Sequence, residues 1–371
     1  MMSRPHPIYE PSEEEWDAFV RSQPRGHILQ LSGWAKQQAS EGWYAKRIVW
    51  RSASPWSQEE IIQWGVQILF KPMLRGLFTR AYCPYGPVIS DTWADTWPMR
   101  RALNSVAKEE HAIFLKCEPG LGDLSHYGAN HSLMYTDPLQ SRSGRPVQPP
   151  RTIVLDLREG EEPLLARMNQ GTRRKIRQSQ KNGIRYFQAT PSDVESFITL
   201  MSATGERNDF YTHEGAYYRR AYELFVPQDA ALFLAEHEGD ILAGVFVTHV
   251  GDTAQYLYGA SIAHKRNLMA SYGVQWAAVQ WAMSRGAKWY DLWGIPDENE
   301  DVLEAQFQTR SDGLWGVYGF KRGWGGRIVR SAGAWDKPYI TPLYAAFEAV
   351  LRWRERRVKP IVETQSDVSD E

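Results

Sequence analysis

The chain has 371 residues, 43% of them hydrophobic and 23% charged, with a net charge of −1. That length exceeds one ordinary compact core and suits two domains, and the balanced charge excludes a global pull on nucleic acid, so any such pull has to come from local patches. Two cysteines, Cys83 and Cys117, exclude a disulfide framework and lack metal-ligand spacing. No cofactor or metal is implied. The N-terminal residues read without the apolar core of a signal peptide, and no apolar window reads as long enough to span a membrane, so a cytosolic protein is expected. Sixteen Trp and eighteen Tyr are more than ordinary use. They suit a large core with aromatic edges, or clefts that enclose a ligand.

In chain order, Glu10 to Val20 reads as a short helix opened by Pro11-Ser12. His27 to Lys36 follows, where Trp34 suits a core and Lys36, taken alone, reads as a surface lysine. Arg47–Trp50 and Ile61–Phe70 read as strands. In Tyr82 to Asp91, two prolines and a glycine fix the backbone around Tyr85, as a rigid loop lining a cleft requires. Asp91 suits the N-cap of a helix over Thr92 to Ala107. His111–Glu118 is a strand, and Ser141 to Pro150 reads as a connector that places a domain boundary there.

Thr152–Leu157 opens a second domain as an alternating strand. Pro163 to Gly183 reads as one helix carrying Arg167, Arg173, Arg174, Lys175, Arg177 and Lys181, with no acid between Leu164 and Gly183. Such a run suits a solvated helix face, but without acids three or four residues away it also suits a phosphate backbone. Asp193–Thr204 reads as a helix, followed by Arg207, whose planar fork can hold two oxygens at once. Phe246–Val250 and Thr253–Gly259 flank Gly251-Asp252 as a β-hairpin. An amphipathic helix from Leu268 to Arg285, with Tyr272, Trp276, Val279 and Met283 on one face, and a strand over Trp289–Gly294 complete a crossover. Gly319 to Gly326 then sets Lys321 among glycines and aromatics in a loop where little else can ionise. Arg327–Ala334 reads as a strand, Trp335–Pro338 as a turn, and Pro342–Val358 as a helix with Arg352, Arg354, Arg356 and Arg357. The acidic tail 364–371 is expected to be disordered.

Tyr256-Leu257-Tyr258-Gly259-Ala260-Ser261, Trp289 to Gly294 and Gly319-Phe320-Lys321 resemble, in order and spacing, the second domain of the FemABX peptidyltransferases. The basic run Met168 to Gly183, the stretch His27 to Lys36 and the loop Tyr82 to Asp91 extend the resemblance over most of the chain. It implies an α/β fold of two tandem domains of the acyl-CoA N-acyltransferase (GNAT) type, mixed sheets flanked by helices. Residues 1–150 with 335–371 would form the first domain and 151–334 the second. The implied reaction moves an amino acid from aminoacyl-tRNA to an amine of a peptidoglycan precursor, nucleotide-linked (UDP) or lipid-linked. By resemblance, Lys36 and Arg207 contact precursor phosphates, and Asp91 is a catalytic residue that orients or deprotonates the acceptor amine. Lys321 serves the oxyanion or the leaving oxygen, Tyr258 lines the cleft as a further catalytic residue, and Tyr256 and Tyr85 bind substrate. Arg173, Arg174, Lys175, Arg177 and Lys181 face tRNA. No long heptad-rich insertion is present, so the arm-less members are the nearer match. A monomer is expected in the cytoplasm, meeting the inner face of the plasma membrane if the basic C-terminal helix rests there.

Neither a nucleophile elbow nor a Walker loop is present, and aminolysis of an activated ester needs neither. Two rivals remain open: an acyl-CoA-dependent N-acyltransferase, against which Leu268 and Met269 stand where its phosphate loop needs glycine, and a non-catalytic RNA-binding protein.

Overall fold

A computed structural model of the chain describes residues 10–53, 60–89, 97–121, 142–208 and 212–357. α1 (Glu13–Ser22) starts at Ser12, whose hydroxyl accepts from the Glu15 N–H at 3.2 Å, and acids fill its first turn, where the helix end is positive. Its Trp16, Phe19 and Val20 form a buried stripe at three- and four-residue spacing. A 3-10 turn at Ile28–Gln30 leads to α2 (Ser32–Ala39), β1 (Tyr44–Ala53), β2 (Glu60–Met73), β3 (Phe78–Pro84), β4 (Val88–Ile89), α3 (Trp97–Glu109), β5 (Ala112–Glu118) and β6 (Arg142–Gly144). Then come β7 (Arg151–Asp156), α4 (Glu161–Arg167), α5 (Gln170–Lys181), β8 (Arg185–Gln188), α6 (Val194–Asn208), α7 (Gly215–Phe225), β9 (Ala230–His237), β10 (Asp240–Val250) and β11 (Thr253–Ser261). The chain ends with α8 (Ala270–Ser284), β12 (Trp289–Gly294), α9 (Glu300–Gln306), α10 (Trp315–Lys321), β13 (Arg327–Arg330), β14 (Ala334–Pro338) and α11 (Thr341–Arg357).

These strands build two mixed sheets. The first runs β1-β2-β3-β5-β14-β6, with β4 on β2; the second runs β13-β7-β12-β11-β10-β9-β8. In the first sheet only β3 and β5 are parallel, joined through α3; in the second only β11 and β12 are, joined through α8. The architecture is therefore the expected pair of mixed sheets flanked by helices. β14 takes the chain back to pair with β5 and β6 of the first sheet.

Several local expectations need correction, the first being the connector expected from Ser141 to Pro150, of which Arg142–Gly144 form the strand β6 paired with β14. The basic segment is two helices rather than one, because Met168 turns to an extended conformation and Asn169 restarts the chain as an N-cap, its side chain accepting from Thr172 N at 2.7 Å. We expect Asn169→Ala to cost about 1 kcal/mol of stability, the usual worth of such a cap, as a lower urea midpoint at unchanged slope; an unshifted midpoint would show that Gly323, which accepts from Asn169 N, holds the break alone. Lys321 closes the helix α10 instead of lying in a loop. Residues 334–338 are a strand, not a turn. Arg207 lies in the last turn of α6 rather than after it. α8 follows its expected range, but it is buried on most sides because it packs between α5 and the second sheet.

Each sheet has a core of its own, and one further cluster is shared between them. Trp16, Phe19, Leu29 and Trp34 from the N-terminal elements pack with Phe197, Tyr217, Phe225 and Phe246 from the second half of the chain. Arg21 on α1 holds Asp229, just before β9, through two bonds of 2.7 and 2.8 Å. The β10–β11 turn tucks under the same region: Gly251 has φ +62°, and a Cβ there would press on the carbonyl oxygens of Gln23 and Pro24. Glycine alone fits that approach.

Candidate active site

The site starts from a gap between two strands. β11 and β12 pair for three residues, Thr253–Gln255 against Trp289–Asp291, and then part. Beyond that point β11 carries a bulge: Val247 of β10 pairs Tyr256 and Phe246 pairs Tyr258, leaving Leu257 without a partner. Leu257 and Tyr258 line a cleft between the two sheets, while Tyr256 lines a second cleft on the other side of the strand.

On β12 the register shifts as well, between Asp291 and Gly294. Trp293 has φ +61°, a left-handed conformation that a bulky residue adopts only when its surroundings hold it there. Asp291 supplies that hold: it is 2% exposed, accepts from Trp293 N at 2.7 Å and is closely bonded by the Thr152 hydroxyl. The kink turns two carbonyl oxygens toward Lys321, whose Nζ donates to Gly294 O at 2.7 Å and Trp293 O at 3.3 Å. The Tyr256 ring centroid lies 5.8 Å from the same nitrogen, at the outer range of cation–π attraction.

Lys321 is 5% exposed, and burial pulls its pKa down to about 7, with Asp291 nearby opposing that shift. Burial pushes Asp291 up to about 6, against the bonds from Thr152 and Trp293 and the charge of Lys321. A buried lysine and carboxylate thus both titrate near neutrality, the condition for moving protons at physiological pH.

The first cleft, of ≈ 580 Å³, is walled by Trp34 from α2, Tyr82 and Lys116 from the first sheet, the linker 145–148, Tyr217 from α7, Tyr258, Trp293 and the inner side of α11. Glu118 organises one wall: it is 4% exposed, bonds the Tyr82 hydroxyl closely, and accepts from Val147 N at 2.6 Å. The second cleft, of ≈ 510 Å³, lies over β10 and β11 and is rimmed by Lys175, Arg207, Lys265, Arg266 and the first turn of α8. Met269 before α8 has φ +59°, so the backbone adopts a left-handed turn there without glycine. Lys265 is paired with Asp240 at 2.8 Å, which leaves Lys175, Arg207 and Arg266 beside the N-terminus of a 15-residue helix, an arrangement that can attract an anion. Trp293 lines the first cleft and Tyr256 the second; Lys321 itself lines neither, but it bonds Trp293 O and lies 5.8 Å from the Tyr256 ring, so it is buried between them.

Three stretches, residues 12–130, 121–240 and 236–352, match the FemAB family. The chain belongs to the FemAB family. Among FemAB relatives, a lipid II:glycine glycyltransferase of Staphylococcus saprophyticus is 25% identical, with 91% of this chain and 94% of that protein covered. Its counterpart from Staphylococcus haemolyticus is 26% identical with the same coverage. The crystal structure of FemX superposes over 92% of this chain and 100% of its own, with a TM-score of 0.75 and 23% identity, a likeness of fold.

The candidate residues of this FemAB chain separate into groups. Lys321 and Tyr256 lie together, whereas Tyr258 faces the first cleft and donates to the Tyr217 hydroxyl at 3.4 Å. Tyr85, φ +49°, lies behind the first cleft, stacked on His27 at 3.7 Å and 5.8 Å from Trp293. Lys36 and Arg207 are not brought together. Lys36 is paired with Glu13 at 2.6 Å with its side chain 54% exposed and lines neither cleft, whereas Arg207 reaches Ser261 O at 2.8 Å in the second. Asp91 lies outside the described residues. Of the basic run, Arg173 turns inward to the carbonyl oxygens of Leu165, Ala166 and Met168, and Lys175 donates to Tyr272 at 3.0 Å. Arg174, Arg177 and Lys181 are exposed on one surface.

Sequence reasoning missed Asp291, Thr152 and Trp293. The available signal was Asp291 itself, a lone acid inside an apolar strand, where a carboxylate is buried only with dedicated partners.

Proposed function

We propose that the chain is an aminoacyltransferase of peptidoglycan bridge synthesis, moving an amino acid from aminoacyl-tRNA to an amine of a lipid-linked precursor. The observation that carries this is one buried lysine held between Trp293, which lines an inter-sheet cleft, and Tyr256, which lines a cationic cleft. The names of the curated relatives, lipid II:glycine glycyltransferases at 25% and 26% identity, support the acceptor and the class of reaction. In this reading the first cleft holds the acceptor peptide and the second the aminoacylated 3′ end.

The chemistry is aminolysis. The acceptor amine attacks the ester carbonyl, a C–N bond forms, the C–O bond to the ribose breaks, and the amine's proton ends on the 3′ oxygen. Lys321 as ammonium faces the developing oxyanion and then the leaving oxygen, and Asp291 keeps it oriented and protonated. Tyr256 and Trp293 pack around it and exclude water.

For the RNA, the exposed side of α5 continues into the second cleft. Gln178 donates to Asn267 O at 3.0 Å and Asn182 to Leu268 O at 3.2 Å, so Arg174, Arg177 and Lys181 run into Arg266 and Arg207. Reversing Arg174 and Arg177 to Glu is expected to weaken tRNA binding for every sequence and to lower the slope of log affinity against log salt by about 1 for each phosphate no longer neutralised. An unchanged slope would place the RNA elsewhere.

The deciding assay offers labelled aminoacyl-tRNAs with nucleotide-linked and lipid-linked precursors, and acyl-CoA as the competing donor. Amide formation from aminoacyl-tRNA supports the proposal. Turnover of acyl-CoA alone would replace it with a CoA-dependent acyltransferase.

A further inference from the structure

We infer that the tip of the β2–β3 hairpin and the outer side of α11 together form a docking surface for a bilayer with anionic headgroups. Of nine large hydrophobic side chains exposed among the described residues, four lie on these two elements: Leu74 and Leu77 at 54% and 71% exposure, Val350 and Trp353 at 49% and 52%. Single exposed apolar residues are ordinary; a grouped set marks an interaction surface.

The two elements are neighbours. Met73 and Phe78, which flank the hairpin tip, pack with Leu343 and Phe347 of α11 on one cluster, Ile113, Phe114 and Tyr344. The tip is held in an unusual shape, with left-handed Leu74 and Arg75 at φ +49° and +61°. Such a conformation is costly for non-glycine residues, and Leu74 and Leu77 stand exposed at this tip.

Charge selects the occupant. Arg75 and Arg352 are exposed beside the apolar side chains, and neither has a carboxylate partner among the described side chains. Leucine, tryptophan and exposed arginine suit the boundary between headgroups and acyl chains, where the ring and the guanidinium keep their polar ends wet.

The opposite side of α11, through Phe347, Glu348 and Leu351, lines the first cleft. Docking by this face therefore brings the cleft mouth to the headgroups. That consequence rests on the reading of a lipid-linked acceptor; the docking surface itself does not.

The test is co-sedimentation of the full chain with phosphatidylcholine vesicles, with and without phosphatidylglycerol. The wild type should bind the anionic vesicles. Leu74→Ser with Leu77→Ser should lower that binding about tenfold or more, because two inserted side chains are removed. Arg75→Glu with Arg352→Glu should abolish the preference for phosphatidylglycerol and its salt sensitivity. Urea midpoints close to wild type check that both variants fold. Transfer to the nucleotide-linked, water-soluble acceptor should be unchanged. No binding by the wild type, variants that bind like it, or a patch that instead holds a second copy in sedimentation velocity would each overturn the inference. Vesicle binding that follows these variants, with no transfer to either acceptor, would leave the docking surface standing and remove the transferase reading.

Discussion

Replacing Lys321 by methionine should lower kcat by about 10²- to 10³-fold, the range seen when one donor to a developing oxyanion is removed, with little change in KM for either substrate. The methionine keeps the length and the apolar stem of the lysine, so the packing against Tyr256 survives while the charge and the bonds to Trp293 O and Gly294 O disappear. The pH profile separates a chemical role from a structural one. Lys321 titrates at about 7; a step that needs its ammonium form is complete below that value and fails as pH rises through it. The methionine variant should lose this limb of the profile altogether. Asp291→Asn removes the charge that raises the lysine's pKa, so the limb should move to lower pH. A Lys321→Met enzyme that keeps its rate, or a wild-type rate that climbs through pH 7, would remove Lys321 from the reacting atoms as an acid.

The second large effect is on stability. Arg21→Ala should destabilise the chain by about 3 kcal/mol, the lower end of the cost of leaving a buried charge without its partner. Asp229 is 4% exposed and takes both of Arg21's bonds, whereas Asp17, the other acid near Arg21, is 3.8 Å away and bonds Ser32 as well. Adding Asp229→Ala to Arg21→Ala should recover much of the loss, because most of it comes from the stranded carboxylate and little from the pair itself. Urea unfolding of the two single variants and the double variant measures the cycle. Additive losses would show that the ion pair contributes nothing of its own.

The β10–β11 hairpin, the crossover through α8 and the strand Trp289–Gly294 were legible in the amino-acid sequence because each depends on residues a few positions apart: a turn at Gly251-Asp252, a helical repeat, a β-branched and aromatic run. So was the unpaired basic side of α5, since the absence of acids at helical spacing is a local property. The functional resemblance was carried by short motifs of the same kind. The end of α4 at Met168 was less legible, because the restart at Asn169 is held by Gly323, far along the chain.

Other features depend on the tertiary structure. Lys321 has the pKa of a proton donor near neutrality because Trp293, Gly294, Tyr256 and Asp291 enclose it; its own neighbours in sequence exclude little water. Lys36 and Arg207 were paired by analogy as phosphate ligands, yet Lys36 meets Glu13 on the outside of α1 and α2 while Arg207 faces the second cleft. Arg21 and Asp229 are 208 residues apart, and no period relates them. Secondary structure follows from interactions within one or two turns of chain, whereas burial and the electrostatic field at a side chain sum over whatever the fold brings near it. The order of the amino acids alone was enough for the elements and the family; three-dimensional packing selected which charges are buried, and therefore which of them can do chemistry.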